Sequence, residues 1–147
     1  MLKNSVITTV IATVISVGLS FALAYMLNRS NIKFKSFFVV LFTVPMLIPS
    51  ISHGMGLVFL FGDNGIVTNL LGLNIGLYGY KGIVMGSVLY SFPVAFLMFH
   101  DSLQYEDYTT YEAAEVLGLS KWRQFVTITI PSMERTLISA LLAVFTM

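Results

Sequence analysis

Four stretches of this chain run with no Asp, Glu, Lys or Arg, and polar segments divide them. Residues 5–28, 36–62 and 82–99 are each near or beyond the ~20 residues that a helix needs to cross the hydrocarbon core of a bilayer. His53 is the one ionisable group in the run 36–62. Residues 136–147 open a fourth apolar run and then stop. That remainder is too short to span, so the full protein is expected to continue past Met147. The pattern predicts an all-α, multi-pass membrane bundle.

The polar segments set an orientation. Residues 29–35 hold Arg29, Lys33 and Lys35 with no acid, and residues 100–135 hold Lys121, Arg123 and Arg135. Short loops rich in Lys and Arg stay in the cytoplasm, and acids count for little. Both segments are therefore expected inside, with residues 63–81 outside. Met1 then starts outside, which predicts a missing upstream helix. The outer loop is crowded with turn formers: Asp63-Asn64-Gly65, Asn69, Gly72, Asn74, Gly76 and Gly79. It reads as external or re-entrant, with one short helical stretch near 67–73.

Proline interrupts the apolar runs at Pro45, Pro49 and Pro93. Each removes a backbone donor and bends a helix. In lipid the freed carbonyls need protein or water, so such sites face a neighbour or a cavity. Gly82 and Gly86 form a small-xxx-small pair that admits a close helix. Ordinary bundle packing accounts for these features, and so does a broken helix beside a translocation path.

Composition agrees with a membrane solvent. The 147 residues are 56% hydrophobic and 10% charged, with a mean hydropathy of +0.85, whereas soluble domains carry about 25% charge. A net charge of +1 gives nucleic acid nothing to bind, and the absence of cysteine excludes disulfides, thiol chemistry and cysteine metal sites. The first apolar run far exceeds the ~7–15-residue core of a cleaved signal. Lys3 gives it a basic front, so a signal anchor is the competing reading.

Residues 101–131 carry the most information. Thr109-x-x-Glu112 has the form of a capping box, with Asp107 as an alternative cap one turn earlier. Glu112 and Glu115 stand in the first turns, where the helix dipole favours anions. Gly118 is placed for a left-handed stop. Ser120 is placed to cap a second helix over 121–130, which Pro131 ends or kinks. Trp122, Phe125, Val126 and Thr129 recur there at helical spacing. Two short helices meeting at a glycine are the result. Ala113 and Ala114 leave one surface flat. Asp101, Glu106, Asp107, Glu112 and Glu115 make the first arm acidic, with no Lys or Arg from 101 to 115. Helices that lie on lipid are usually basic, so the acidity points to a protein partner.

The run Glu112-Ala113-Ala114, three residues, Gly118, nine residues, then Ile128-x-Ile130-Pro131 resembles the EAA motif of ATP-binding-cassette (ABC) importer permeases that depend on a binding protein. Every fixed position agrees except Ile130, where that family has leucine. Residues 4–29, with Ala24-Tyr25 near the inner end, are similar to the family's second helix, and Pro45, Pro49 and Phe61-Gly62 also fit. The resemblance implies a partial MetI-like type I importer fold in the bacterial plasma membrane. It implies docking on a cytoplasmic ATPase dimer through Glu112, Ala113, Ala114, Gly118, Ile128 and Pro131. It further implies a second permease subunit, an extracytoplasmic solute-binding protein, no resident cofactor, and ATP hydrolysis by a separate subunit. Residues 78–98, with Asp107-Tyr108 and Tyr111, look most like 2-aminoethylphosphonate permeases. Ferric-iron, thiamine, sulfate and polyamine permeases are close relatives.

Three other readings compete. An intramembrane enzyme would use His53 beside Ser50 and Ser52, or His100-Asp101. A lone histidine with no acid or second ligand near it makes neither a triad nor a metal site. No Gly-x4-Gly-Lys-Ser/Thr loop occurs, so the chain binds no ATP by that route. A membrane adaptor that only recruits a protein is the second, and an inactive fragment the third.

Overall fold

A computed structural model of the chain describes residues 2–72 and 76–147. The expected outside position of Met1, the end of the 67–73 helix at Leu73 and the turn former Asn74 fall outside the described residues. All regular structure among the described residues is helical. Helix α1 is Leu2–Arg29, α2 Lys35–Thr43, α3 Ser50–Phe61, α4 Ile66–Leu71, α5 Tyr80–Gln104, α6 Thr109–Val116, α7 Lys121–Ser132 and α8 Glu134–Thr146. Three segments, Leu2–Arg29, Ser50–Leu71 and Tyr80–Gln104, are long and apolar enough to cross a membrane. At 1.5 Å per residue, a helix of 28 residues reaches ~42 Å.

The second apolar run is not one helix over 36–62. Helix α2 ends at Thr43, tightens into a 3-10 turn over Val44–Leu47, and breaks with Ile48 extended at ψ 130°. Helix α3 restarts at Ser50. Proline is the reason. Pro45 opens the tight turn, where no donor is needed, and Pro49 pushes the residue before it out of helical geometry. Gly86 does admit a neighbour, since Leu57 of α3 lies against it. Gly82 instead serves the turn before α5, where a side chain would meet the Leu77 carbonyl.

Helices α1 and α5 run parallel and share the largest contact in the bundle. The Ser16 and Ser91 hydroxyls meet at 2.9 Å, and Ser20 Oγ donates to the Phe92 carbonyl at 3.0 Å, next to Pro93. An interhelical hydrogen bond in a membrane contributes only ~0.6 kcal/mol on average, because lipid-dissolved helices also find partners. Shape complementarity therefore does most of the holding. Val17, Ala24 and Leu27 of α1, Ala95, Phe96, Phe99 and Leu103 of α5, and Met133, Ala140 and Val144 beyond them form the core. Phe21 meets Phe99 edge-on at 5.3 Å and Phe42 meets Phe96 at 5.2 Å. Such pairs contribute about 0.5–1.5 kcal/mol each.

Candidate functional site

The parallel helices α1 and α5 end on the same side, at Arg29 and Gln104. Residues 105–132 fold there into two arms around Gly118. The first arm, α6, is capped by Asp107, whose Oδ1 accepts the Thr109 amide at 3.0 Å. That hydrogen bond holds the Asp107 carboxyl below its ordinary value, because the amide favours the charged form. The expected capping box does not form: the Glu112 carboxylate has no hydrogen bond or ion pair among the described residues, while its amide bonds the Tyr108 carbonyl at 3.0 Å. Asp107 reaches the free amide first, so the Glu112 carboxylate stays open to solvent.

Gly118 ends the arm at φ 72°. The Gly118 amide bonds the Glu115 carbonyl, and the Leu119 amide bonds the Ala114 carbonyl, both at 3.0 Å. This is the glycine stop that the sequence announces. Lys121 reaches back across the turn to Glu115 at 2.8 Å and lowers the pKa of that carboxyl. Ser120 Oγ accepts the Arg123 amide at 3.4 Å and starts α7.

Helix α7 does not stop at Pro131. It opens into a π-turn over Phe125–Thr129, with the Ile130 amide on the Phe125 carbonyl, and runs on to Ser132. The wide turn sits where the proline ring would otherwise meet the Thr127 carbonyl. The bend comes at Met133, where α8 leaves at 63°. Within the π-turn Thr129 is fully buried and Ile128 half-buried, while Pro131 beyond it is exposed.

The alanines part company. Ala113 is exposed, whereas Ala114 is buried at 4% against this chain's own residues. It shares the inward side of α6 with Tyr111. The outward side carries Glu112 and Ala113 and ends in two bare apolar residues, Val116 at 88% and Leu117 at 78% exposure. A cleft of about 560 Å³ lies beside Glu112, with Tyr25, Asn28, Lys35 and Lys121 among its lining.

The inward side rests on a polar cluster that the sequence did not reveal. Glu106 is not a free acid. Its Oε2 takes the Arg29 guanidinium at 2.9 Å, and its Oε1 accepts the Tyr111 hydroxyl at 2.9 Å and the Ser132 hydroxyl. Thr129 Oγ1 meets the Tyr111 oxygen at 2.8 Å. The Arg29 guanidinium also lies 3.8 Å from the Tyr111 ring centre and 4.9 Å from that of Tyr108. Burial pushes the Tyr111 phenol up. The pairing joins the basic 29–35 segment to the long loop. The sequence offered only a basic 29–35 segment and an acidic stretch from 101 to 115, which says nothing of pairing across the 76 intervening positions.

His53 stands far from this site. Its Nδ1 lies 3.3 Å from the Pro49 carbonyl and its ring packs against Tyr90. His100 faces Asp101 at 3.6 Å.

Comparison with known proteins follows the same lines. A molybdenum transport system permease protein of Haemophilus influenzae is 33% identical over 111 residues, covering 73% of this chain and 48% of that protein. A molybdate/tungstate permease of Thermococcus kodakarensis is 29% identical over 130 residues, 88% of this chain and 48% of its own length. A ferric transport permease of Actinobacillus pleuropneumoniae is 27% identical over 108 residues, 69% of this chain and 16% of its own. The chain thus spans half or less of the length of these relatives. Residues 4–147 match, almost end to end, the inner membrane component of binding-protein-dependent transport systems. With its apolar helices and its glycine-hinged loop in place, this multi-pass membrane chain belongs to that permease family.

Proposed function

We propose that this chain forms part of the membrane-spanning subunit of an ATP-driven importer and contributes to its translocation path. In this reading residues 101–131 are the coupling loop, and the outward side of α6 docks in a groove of a cytoplasmic ATPase. Residues near 5–28, 36–62, 82–99 and 136–147 supply the spans. A second permease subunit and an extracytoplasmic binding protein complete the assembly. The chain itself performs no hydrolysis.

The exposed end of α6 carries the reading. Val116 and Leu117 stand bare beside the free Glu112 carboxylate on an arm whose other side is tied to the bundle. A rigid arm with an apolar tip and an uncommitted acid suits a preformed protein groove. Closure of the ATPase pair would then rock the arm and the helices behind it. Ala113 is the position to test. A cysteine there should cross-link to the co-expressed ATPase. An assembled complex with no cross-link at 113, 116 or 117 would remove the docking role.

For the substrate we favour a tetrahedral oxyanion. Molybdate, tungstate, sulfate and phosphonate share that chemistry; one relative is named for molybdenum transport and another for molybdate/tungstate transport. The narrower reading of 2-aminoethylphosphonate leans partly on Asp107, Tyr108 and Tyr111. Those residues cap a helix, stack on Arg29 and bond Glu106. Their work is structural, so they lend no support to one substrate. Ferric iron is the second reading, favoured by the ferric relative. Uptake of labelled molybdate against ferric ion by the reconstituted transporter separates the two.

A further inference from the structure

The arm that docks must also pull on something. Two covalent routes lead from it to the bundle, and both contain irregular joints. Toward α5 the helix ends at Gln104 and the backbone is non-helical until Thr109. Toward α8 the route crosses Gly118, the π-turn and the 63° bend. A third route runs through space. Arg29 is the last residue of α1, a helix unbroken from Leu2, and its guanidinium is held by Glu106 and laid against Tyr111.

We propose that Arg29, Glu106 and Tyr111 form a latch that makes the docking arm and α1 move as one body, so that α1 carries the arm's displacement into the bundle. This inference rests on the importer reading. Glu106 is the meeting point of three elements: Arg29 brings α1, Tyr111 brings α6 and Ser132 brings α7. The carboxylate and guanidinium are largely withdrawn from solvent, at 10% and 19% side-chain exposure. An ion pair in that setting is screened far less than a surface pair and keeps its geometry. Arginine rather than lysine fits the position, because only a planar guanidinium can bond a carboxylate and lie flat on a tyrosine ring at once. Beyond Arg29, α1 packs along α5, with Ser16 and Ser20 bonded to Ser91 and to the Phe92 carbonyl. Displacement of α1 therefore reaches the proline-marked part of α5. Arg29, Glu106 and Tyr111 are positioning residues, since none lies on the outward side of α6.

The test uses the complete transporter in proteoliposomes, with its ATPase and loaded binding protein. Three quantities are read: ATPase retained on purification, ATP hydrolysed, and substrate imported per ATP. Arg29→Met should keep the ATPase bound and hydrolysis within about twofold, while import per ATP falls about tenfold. Arg29→Lys should recover part of that loss, and Glu106→Gln should resemble Arg29→Met. An unchanged import-to-ATP ratio in Arg29→Met and Glu106→Gln would overturn the latch and leave the importer reading standing. Loss of the ATPase from both variants would also overturn it, because the cluster would then only shape the docking surface. If Arg29→Met fails to assemble, Glu106→Gln, which keeps size and hydrogen-bonding capacity, decides alone. A wild-type assembly that neither imports nor answers the loaded binding protein would sink the importer reading itself.

Discussion

The two arms on either side of Gly118 obey different rules. Helix α6 is short, acidic and tied down on one side only. Its inward residues Tyr111 and Ala114 are buried, and its outward residues from Glu112 to Leu117 are bare. Helix α7 is basic at its start, bears an exposed Trp122 stacked on Phe125, and runs almost directly into the apolar α8. The first arm behaves as a separate part fastened by polar contacts. The second leads on to the next helix through a 63° bend at Met133. Two neighbouring segments joined at one glycine are thus held in different ways, one by polar contacts and one by the chain itself.

That division can be broken or sharpened by substitution. The largest effect is expected at the joint. Gly118→Val puts a β-branched residue at φ 72°, where such side chains clash with the backbone. The arms should then separate from their relative setting, and uptake should fall to background while the ATPase remains detectable. Normal uptake would show that the hinge geometry is dispensable. Next comes the apolar tip. Burying a leucine contributes ~1.5–3 kcal/mol, so Leu117→Asp should weaken ATPase binding about tenfold or more. Trp122→Ser, on the other arm, should change binding less than about twofold, and equal losses in both variants would erase the distinction. Glu112→Lys reverses a charge near a helix start, an effect of about 0.3–1 kcal/mol. A two- to fivefold loss in ATPase pull-down is expected, roughly the same free energy, and an unchanged pull-down would count against the contact.

The smallest effect is a pH dependence. Burial raises the Tyr111 phenol, so the folded state holds that proton more tightly than the unfolded chain does. Its contribution is whole below about pH 10 and fades as pH climbs through the raised folded value. Melting of the wild type from pH 8 to 11 should show this loss, and Tyr111→Phe should lack that part of it. Identical alkaline profiles would mean that the phenol is not held as described.

Much of this was legible in the residues. Gly118 and Ser120 occupy their positions because backbone geometry demands such residue types there, and demands of that kind appear in sequence. The apolar runs revealed the helices for the same reason. Pro45 and Pro49 marked the second run as interrupted, and the residue before a proline is the one pushed out of helical geometry, so the break at Ile48 follows a local rule; what packs against the freed carbonyls depends on three-dimensional neighbours. Glu106 escaped for a deeper reason. An acid among other acids looks solvated until a cation from a distant helix is found beside it. The burial of Ala114 beside the exposed Ala113 was hidden in the same way, since local pattern does not say which side of a short helix faces home.

The π-turn at Phe125–Thr129 has a consequence for the spacing between Gly118 and Pro131. It adds slack to the winding of α7 just before the proline, and Thr129 is fully buried at its end. Deleting one residue there would let ordinary α-winding resume and leave the segment helical. Ser132 would keep its angular place toward Glu106, because a π-turn takes up one extra residue within a single turn. The wide turn thus works as a phase-preserving insertion: one residue more or less there leaves the helix beyond it facing the same way.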